Sequence, residues 1–188
     1  MRVIAGQYRS RSLTAPKGRD TRPTSDRLRE TLFNVLAPRV SGAVFVDLYA
    51  GSGAVGIEAL SRGARTAVFV EHADPALKAL RANLMSLGIR GGYALEPRSA
   101  TAALKRLSST GHVADIVFLD PPYDSAEEYE AVLSLLGGQC SGLLAPGAVV
   151  VAEHAKKNDL ADRYGLLLRY RLLKQGDAAL SFYQREPE

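Results

Sequence analysis

The 188-residue chain has one cysteine, Cys140, and three histidines. A lone thiol excludes an internal disulfide framework and any cysteine-based zinc site. Cys140 follows a Gly-Gly pair with no histidine beside it, so no chemistry is assigned to it. His72, His112 and His154 stand far apart without metal-ligand spacing, and ordinary packed or solvated roles are expected for them, with no metal. Long apolar runs are missing, which excludes a membrane-spanning helix. Met1 is followed by the mixed stretch Arg-Val-Ile-Ala-Gly-Gln-Tyr rather than a secretory leader, and a cytoplasmic location is expected. Internal repeats and low-complexity tracts are also missing, so one ordinary globular core is the starting point.

Hydrophobic residues make up 46% and charged residues 23% of the chain, enough for one well-filled core with a small appendage. The net charge of +4 is unevenly placed. Residues 1–40 carry nine basic groups (Arg2, Arg9, Arg11, Lys17, Arg19, Arg22, Arg27, Arg29 and Arg39) against Asp20, Asp26 and Glu30, a net +6 that leaves −2 for the remainder. A basic arm on a near-neutral body suits a polyanion, because phosphate contacts give sequence-independent affinity. A merely solvated N-terminus is the plainer alternative.

Val3-Ile4-Ala5 and Leu13-Thr14-Ala15 flank a turn region from Gly6 to Arg11, the pattern of a short hairpin or extended arm. Residues 16–23 form a polar linker. Thr24 or Ser25 then caps a helix with Leu28, Leu32, Val35 and Leu36 on one face, ended by Pro38. From residue 43 strand-then-helix units repeat. Val44-Phe45-Val46 leads through glycines to a helix with Val55, Ile57 and Leu60. Ala67–Val70 leads to Asp74-Pro75 as N-cap and first turn, then Leu77, Leu80, Leu84 and Leu87 with Gly88 as the stop. A strand near Tyr93–Leu95 precedes a helix over about residues 99–107. Asp115–Leu119 precedes a helix opened by Ser125 with Glu128 completing a capping box, and Val149-Val150-Val151 is a fifth buried strand. Leu166–Leu172 and Ala179–Tyr183 flank Gly176-Asp177 as an antiparallel pair. Short apolar strands between amphipathic helices predict an α/β fold: a doubly wound, mostly parallel, Rossmann-like sheet of seven strands with an antiparallel edge hairpin. The expected organisation is a basic arm over 1–23 and one domain over 24–188.

Two stretches carry chemistry. Asp120-Pro121-Pro122-Tyr123 closes a buried-looking strand with an acid, two residues lacking N–H donors and a flat ring. Acceptors beside an aromatic platform suit an amino group on a planar base, although the tetrapeptide alone is equally a strand-to-helix turn. The first strand ends in Asp47-Leu48-Tyr49-Ala50-Gly51-Ser52-Gly53. Gly51, Gly53 and Gly56 fit dinucleotide-loop spacing, so an oxidoreductase has to be weighed. Asp47 opposes that reading, because a carboxylate before the loop suits a cationic ligand such as the α-ammonium of a methionine moiety. Glu71, at the end of the second strand, is placed to take a ribose diol.

Asp47–Gly53, Glu71 and Asp120–Tyr123 resemble the motifs of class I S-adenosylmethionine-dependent amino-methyltransferases. Arg22-Pro-Thr-Ser-Asp-Arg-Leu-Arg-Glu-Thr-Leu-Phe-Asn34 is similar to the N-terminal segment of the RsmD family, which methylates guanine N2 in 16S ribosomal RNA, and the resemblance runs from Arg2 to Arg185. It implies that Asp47, Tyr49, Ala50, Gly51, Ser52, Gly53, Glu71 and neighbouring His72 bind the methyl donor, whose spent form is S-adenosylhomocysteine. Ser99 and Ala100 would contact adenine, and Thr24 would reach the cofactor pocket, unless it only caps its helix. Asp120, Pro121, Pro122 and Tyr123 would form the catalytic turn. Arg2, Arg9, Arg11, Lys17, Arg19 and Arg22 would meet RNA, within a small ribosomal subunit or an assembly intermediate, and the enzyme would act as a monomer. DNA adenine or protein glutamine N-methyltransferases share the acid/amide-Pro-Pro-aromatic turn but commonly carry Asn at the place of Asp120. An RNA-binding protein with an inactive cofactor site is the alternative of another class.

Overall fold

The computed structural model describes residues 1–16, 25–122 and 125–186. They form two compact units, Met1–Ser99 and Ala100–Glu188. The architecture is the expected α/β one, with parallel strands at the centre and antiparallel strands at an edge.

In the first unit, α1 (Asp26–Val40) leads to β1 (Val44–Asp47), α2 (Ala54–Ser61), β2 (Thr66–Val70), α3 (Asp74–Ser86) and β3 (Tyr93–Glu96). The strands run parallel with β2 in the middle, Asp47 opposite Phe69 and Val70 opposite Glu96. Ser25 is the cap of α1, its Oγ accepting the Leu28 N–H at 3.1 Å. Pro38 does not end that helix, which continues to Val40. In the last turn proline forfeits only one backbone bond, and Val40 is buried in return. The N-cap of α3 is Ala73, so Asp74 falls in the first turn instead, where its charge still suits the helix dipole. Gly88, at φ +69°, stops α3 as expected.

Residues 1–13 form a hairpin held by an Arg2–Ser12 bridge, with Val3 N–H on Arg11 and Leu13 N–H on Met1. Val3 and Leu13 are buried with Ile57, Phe69, Leu80 and Leu84, so this segment completes the core of its unit. Glu58 of α2 is buried and accepts the N–H groups of Ile4 at 2.8 Å and Ala5 at 3.0 Å. Ser61 takes the Tyr8 N–H and gives its hydroxyl to the Ala5 carbonyl. Arg29 of α1 is fully buried as well. Its guanidinium donates to the Arg2 carbonyl and to Asp26, and its Nε lies 3.8 Å from Glu58. One of the nine basic residues of the first forty is therefore internal.

The second unit comprises α4 (Ala100–Ser109), β4 (Ala114–Leu119), α5 (Ala126–Gly137), β5 (Leu144–Ala155), β6 (Arg163–Tyr164), β7 (Leu167–Gln175) and β8 (Ala178–Arg185). β4 and β5 are parallel; β5–β8, β8–β7 and β7–β6 are antiparallel. Eight strands thus stand among the described residues, the two-residue β6 being the addition to the seven expected. The hairpin turns at Gly176-Asp177 as the sequence suggested. Ser125 precedes α5, but its side chain makes no capping bond, so the capping box with Glu128 does not form. Among the described residues, no helix is long and apolar enough to cross a membrane, and no group of three or more metal-ligating side chains is assembled.

Candidate methyl-donor loop and amine-binding turn

Asp47 ends β1 and is 1% exposed. Its Oδ2 accepts the Gly56 N–H at 3.1 Å, whereas Oδ1 is buried without a hydrogen-bond partner. Burial pushes the carboxyl up to about 7, against the pull of the Gly56 and Tyr49 amides, and nearby Glu71 adds to the rise. An orphaned, buried carboxylate oxygen is costly unless a donor or a cation reaches it.

Residues 49–53 turn the chain from β1 into α2. The Ala50 N–H donates to Val70 and the Gly53 N–H to Ala50. Gly53 has φ +86°, and a β-carbon there would stand 2.3 Å from Cδ1 of Leu80. A β-carbon at Gly56 would stand 2.3 Å from the Phe69 ring, so this third glycine allows α2 to lie close on β2. The glycine spacing is therefore accounted for by a turn and a helix–strand approach, with no pyrophosphate required.

Glu71 follows β2 and fastens this loop. Its Oε2 accepts the Gly51 N–H at 3.0 Å; Oε1 accepts those of His72 and Ala73, each at 2.8 Å. A carboxylate offers about four acceptor positions, so one remains, on Oε2. That fits one hydroxyl of a diol at full strength rather than both. His72 has an exposed ring 3.9 Å from Glu71, its backbone doing the bonding. Ser99 is exposed and Ala100 is the buried first residue of α4.

Asp120 follows β4, half-buried, and Pro121 is buried while Pro122 is exposed. The Pro122 carbonyl accepts the Ser125 N–H at 3.0 Å, which commits one of its two acceptor positions inside the turn. Tyr123, Thr24, Lys17, Arg19 and Arg22 lie outside the described residues. Of the remaining basic candidates, Arg9 is exposed, Arg2 lies 3.8 Å from Asp26, and Arg11 donates to the Ser86 carbonyl at the end of α3.

Sequence reading missed Glu58, Arg29 and Asn83, each a polar residue on an otherwise apolar helix face. That placement is the signal that could have found them: a polar group at a core position has to be paired.

A family model described as "Conserved hypothetical protein 95" matches residues 1–184. Ribosomal RNA small subunit methyltransferase D of Escherichia coli K12 is 38% identical over 188 residues, spanning 100% of this chain and 91% of that protein. The chain belongs to the RsmD family. Another relative, YlbH of Bacillus subtilis, is 34% identical over 185 residues, covering 98% of this chain and 99% of its own. The solved structure of Escherichia coli yhhF aligns with a TM-score of 0.84 at 36% identity, covering 99% of this chain and 98% of that one. Membership of the RsmD family makes the chain a methyltransferase.

Proposed function

We propose that this methyltransferase moves a methyl group from S-adenosylmethionine to the exocyclic N2 of a guanine in 16S ribosomal RNA, within a small subunit or its assembly intermediate. The observation that carries the reading is the pairing of Asp47 and Glu71 across one glycine loop, at the carboxyl ends of neighbouring parallel strands, where ligands of such sheets bind. The orphaned Oδ1 of Asp47 takes an α-ammonium, and the open position on Oε2 of Glu71 takes a ribose hydroxyl. When bound, the donor supplies a methyl group activated on a positive sulfonium.

The lone pair of a guanine amine is delocalised into the ring, so the site has to localise and aim it. The Asp120 carboxylate and the Pro121 carbonyl accept the two N–H bonds, favouring a pyramidal nitrogen; the Pro122 carbonyl already has one acceptor position engaged. Tyr123 stacks on a base taken out of its helix or already in a loop. The nitrogen forms its bond to the methyl carbon as the S–C pair returns to sulfur, and the amine proton then leaves to water. No strong base is needed, so positioning provides most of the rate. The basic residues of the arm over 1–23 meet phosphate.

The test is transfer of labelled methyl to unmodified 16S RNA and to unmodified small subunits, followed by nucleoside analysis. N2-methylguanosine is expected, and any other product refutes the assigned base. RNA binding with neither transfer nor S-adenosylhomocysteine binding marks an inactive cofactor site. Asp120→Ala should lower kcat by about a thousandfold with product affinity within about twofold of wild type. Turnover surviving within a few-fold removes Asp120 as the amine acceptor.

A further inference from the structure

Asn83 sits among Leu77, Leu80 and Leu84 on the buried face of α3 and is 1% exposed. Its carboxamide bonds two segments remote from it in the chain. Oδ1 accepts the Thr14 N–H at 2.8 Å, while Nδ2 donates to the Thr14 carbonyl at 3.0 Å and to the Ser52 carbonyl at 2.9 Å. Exchanging oxygen and nitrogen would set an NH2 group against an N–H and an oxygen against two carbonyls, so the partners fix the orientation.

A leucine at this position would bury more apolar surface but leave the buried Ser52 carbonyl and both Thr14 backbone groups without their amide partner, so the asparagine satisfies these groups as well as orienting them. The amide contributes placement. Ser52 is the middle of the Gly51–Gly53 loop, whose other ties include the Gly51 N–H on Glu71, the Gly53 N–H on Ala50 and the Ile57 N–H on the Gly53 carbonyl. Thr14 is where the N-terminal hairpin leaves the core, directly after buried Leu13. One planar group thus grips the centre of the loop and the exit of the basic arm. A shift of the Ser52 carbonyl has to be absorbed by the bonds to Thr14, and the reverse holds equally.

We propose that Asn83 is a positioning residue that couples the methyl-donor loop to the basic arm, so that cofactor binding is felt at Thr14 and arm engagement is felt at the loop. The proposal rests on the reading that this loop holds the methyl donor. Because coupling between binding sites is reciprocal, RNA held by the arm tightens the donor by the factor with which the donor tightens RNA.

The test is hydrogen exchange resolved to single amides, on the full chain with and without saturating S-adenosylhomocysteine. In the wild-type protein the ligand should slow exchange at Gly51, Gly53 and Gly56, and at Thr14 by about tenfold. Asn83→Asp keeps the acceptor for the Thr14 N–H and loses both donations. It should keep ligand-dependent slowing in the loop, lose the ligand-dependent slowing at Thr14 and raise the product Kd about tenfold, with kcat at saturating donor within about threefold. Wild-type loop protection without any change at Thr14 overturns the coupling alone. Failure of the product to bind overturns the coupling and the cofactor reading together. An Asn83→Asp protein that only unfolds more easily, with unchanged Kd in its folded fraction, also refutes the positioning role.

Discussion

Recognition of the methyl donor by Asp47 should depend on pH in a way fixed by the burial of that carboxylate. Its carboxyl titrates at about 7 because burial disfavours the anion, a cost that the amides of Gly56 and Tyr49 only partly offset. A cationic α-ammonium binds the anion. For a group titrating at 7, the anionic share is about one in eleven at pH 6 and about three in four at pH 7.5, so the product Kd should fall about eightfold between them. Titration calorimetry with S-adenosylhomocysteine measures this directly, and at pH 7 two buffers of different ionisation enthalpy should reveal release of about half a proton. Asp47→Asn should bind more weakly with a flat profile. The sign for the free protein is opposite. A folded carboxyl raised above its unfolded value of about 3.9 contributes stability below that pH and loses it as pH rises through 7, an upper bound of about 4 kcal/mol. Without ligand, Asp47→Asn should therefore be the more stable protein at pH 8 and lose that advantage near pH 4. A Kd constant within twofold from pH 6 to 7.5, with no buffer dependence, refutes the ammonium contact.

Tyr123→Ala should lower kcat/KM on RNA by roughly tenfold or more, as loss of one stacked base implies, while Tyr123→Phe stays near wild type; equal losses in steady-state assays count against stacking. Arg9→Ala should leave the fold intact and reduce the slope of log affinity against log salt by about 0.8 in filter-binding titrations, as loss of one phosphate contact would. An unchanged slope removes Arg9 from the RNA interface. Glu58→Gln should cost about 3 kcal/mol in urea unfolding, because among the described residues it leaves buried Arg29 with only Asp26 as a carboxylate partner and also removes the 2.7 Å ion pair with Arg62. A loss under about 1 kcal/mol would show that the pair is not a structural tie.

Hydrophobic periodicity made the order of strands and helices legible. β1, β2, β4 and β5 are apolar because they are buried, and the leucines of α3 recur at helical spacing. Glycines and prolines marked the turns less completely, since the sequence does not say how many backbone bonds a particular proline or cap would forfeit. Pro38 and Ser125 illustrate this. Asp47 and Glu71 could be picked out as acids at strand ends, but the division of their oxygens could not. Three amides already hold Glu71, leaving a single acceptor position, and this follows only from the path of the loop around it. The internal role of the N-terminal hairpin was hidden by its charge. Arg2, Arg9 and Arg11 advertise a polyanion, whereas Val3, Leu13 and the amides of Ile4 and Ala5 answer partners more than forty residues away. Deleting the hairpin would therefore damage the core as well as any RNA contact, and single charge substitutions are the cleaner probe.

The same hairpin imposes an order on folding. It is made before its partners, because the carboxylate that receives Ile4 and Ala5 lies at position 58 and the amide that receives Thr14 lies at position 83. The hairpin has no complete place to dock until α2 and α3 have followed it, and closing such long loops is slow. Until then the basic arm stays outside the fold, so assembly of the donor loop and seating of the arm are completed in one late step.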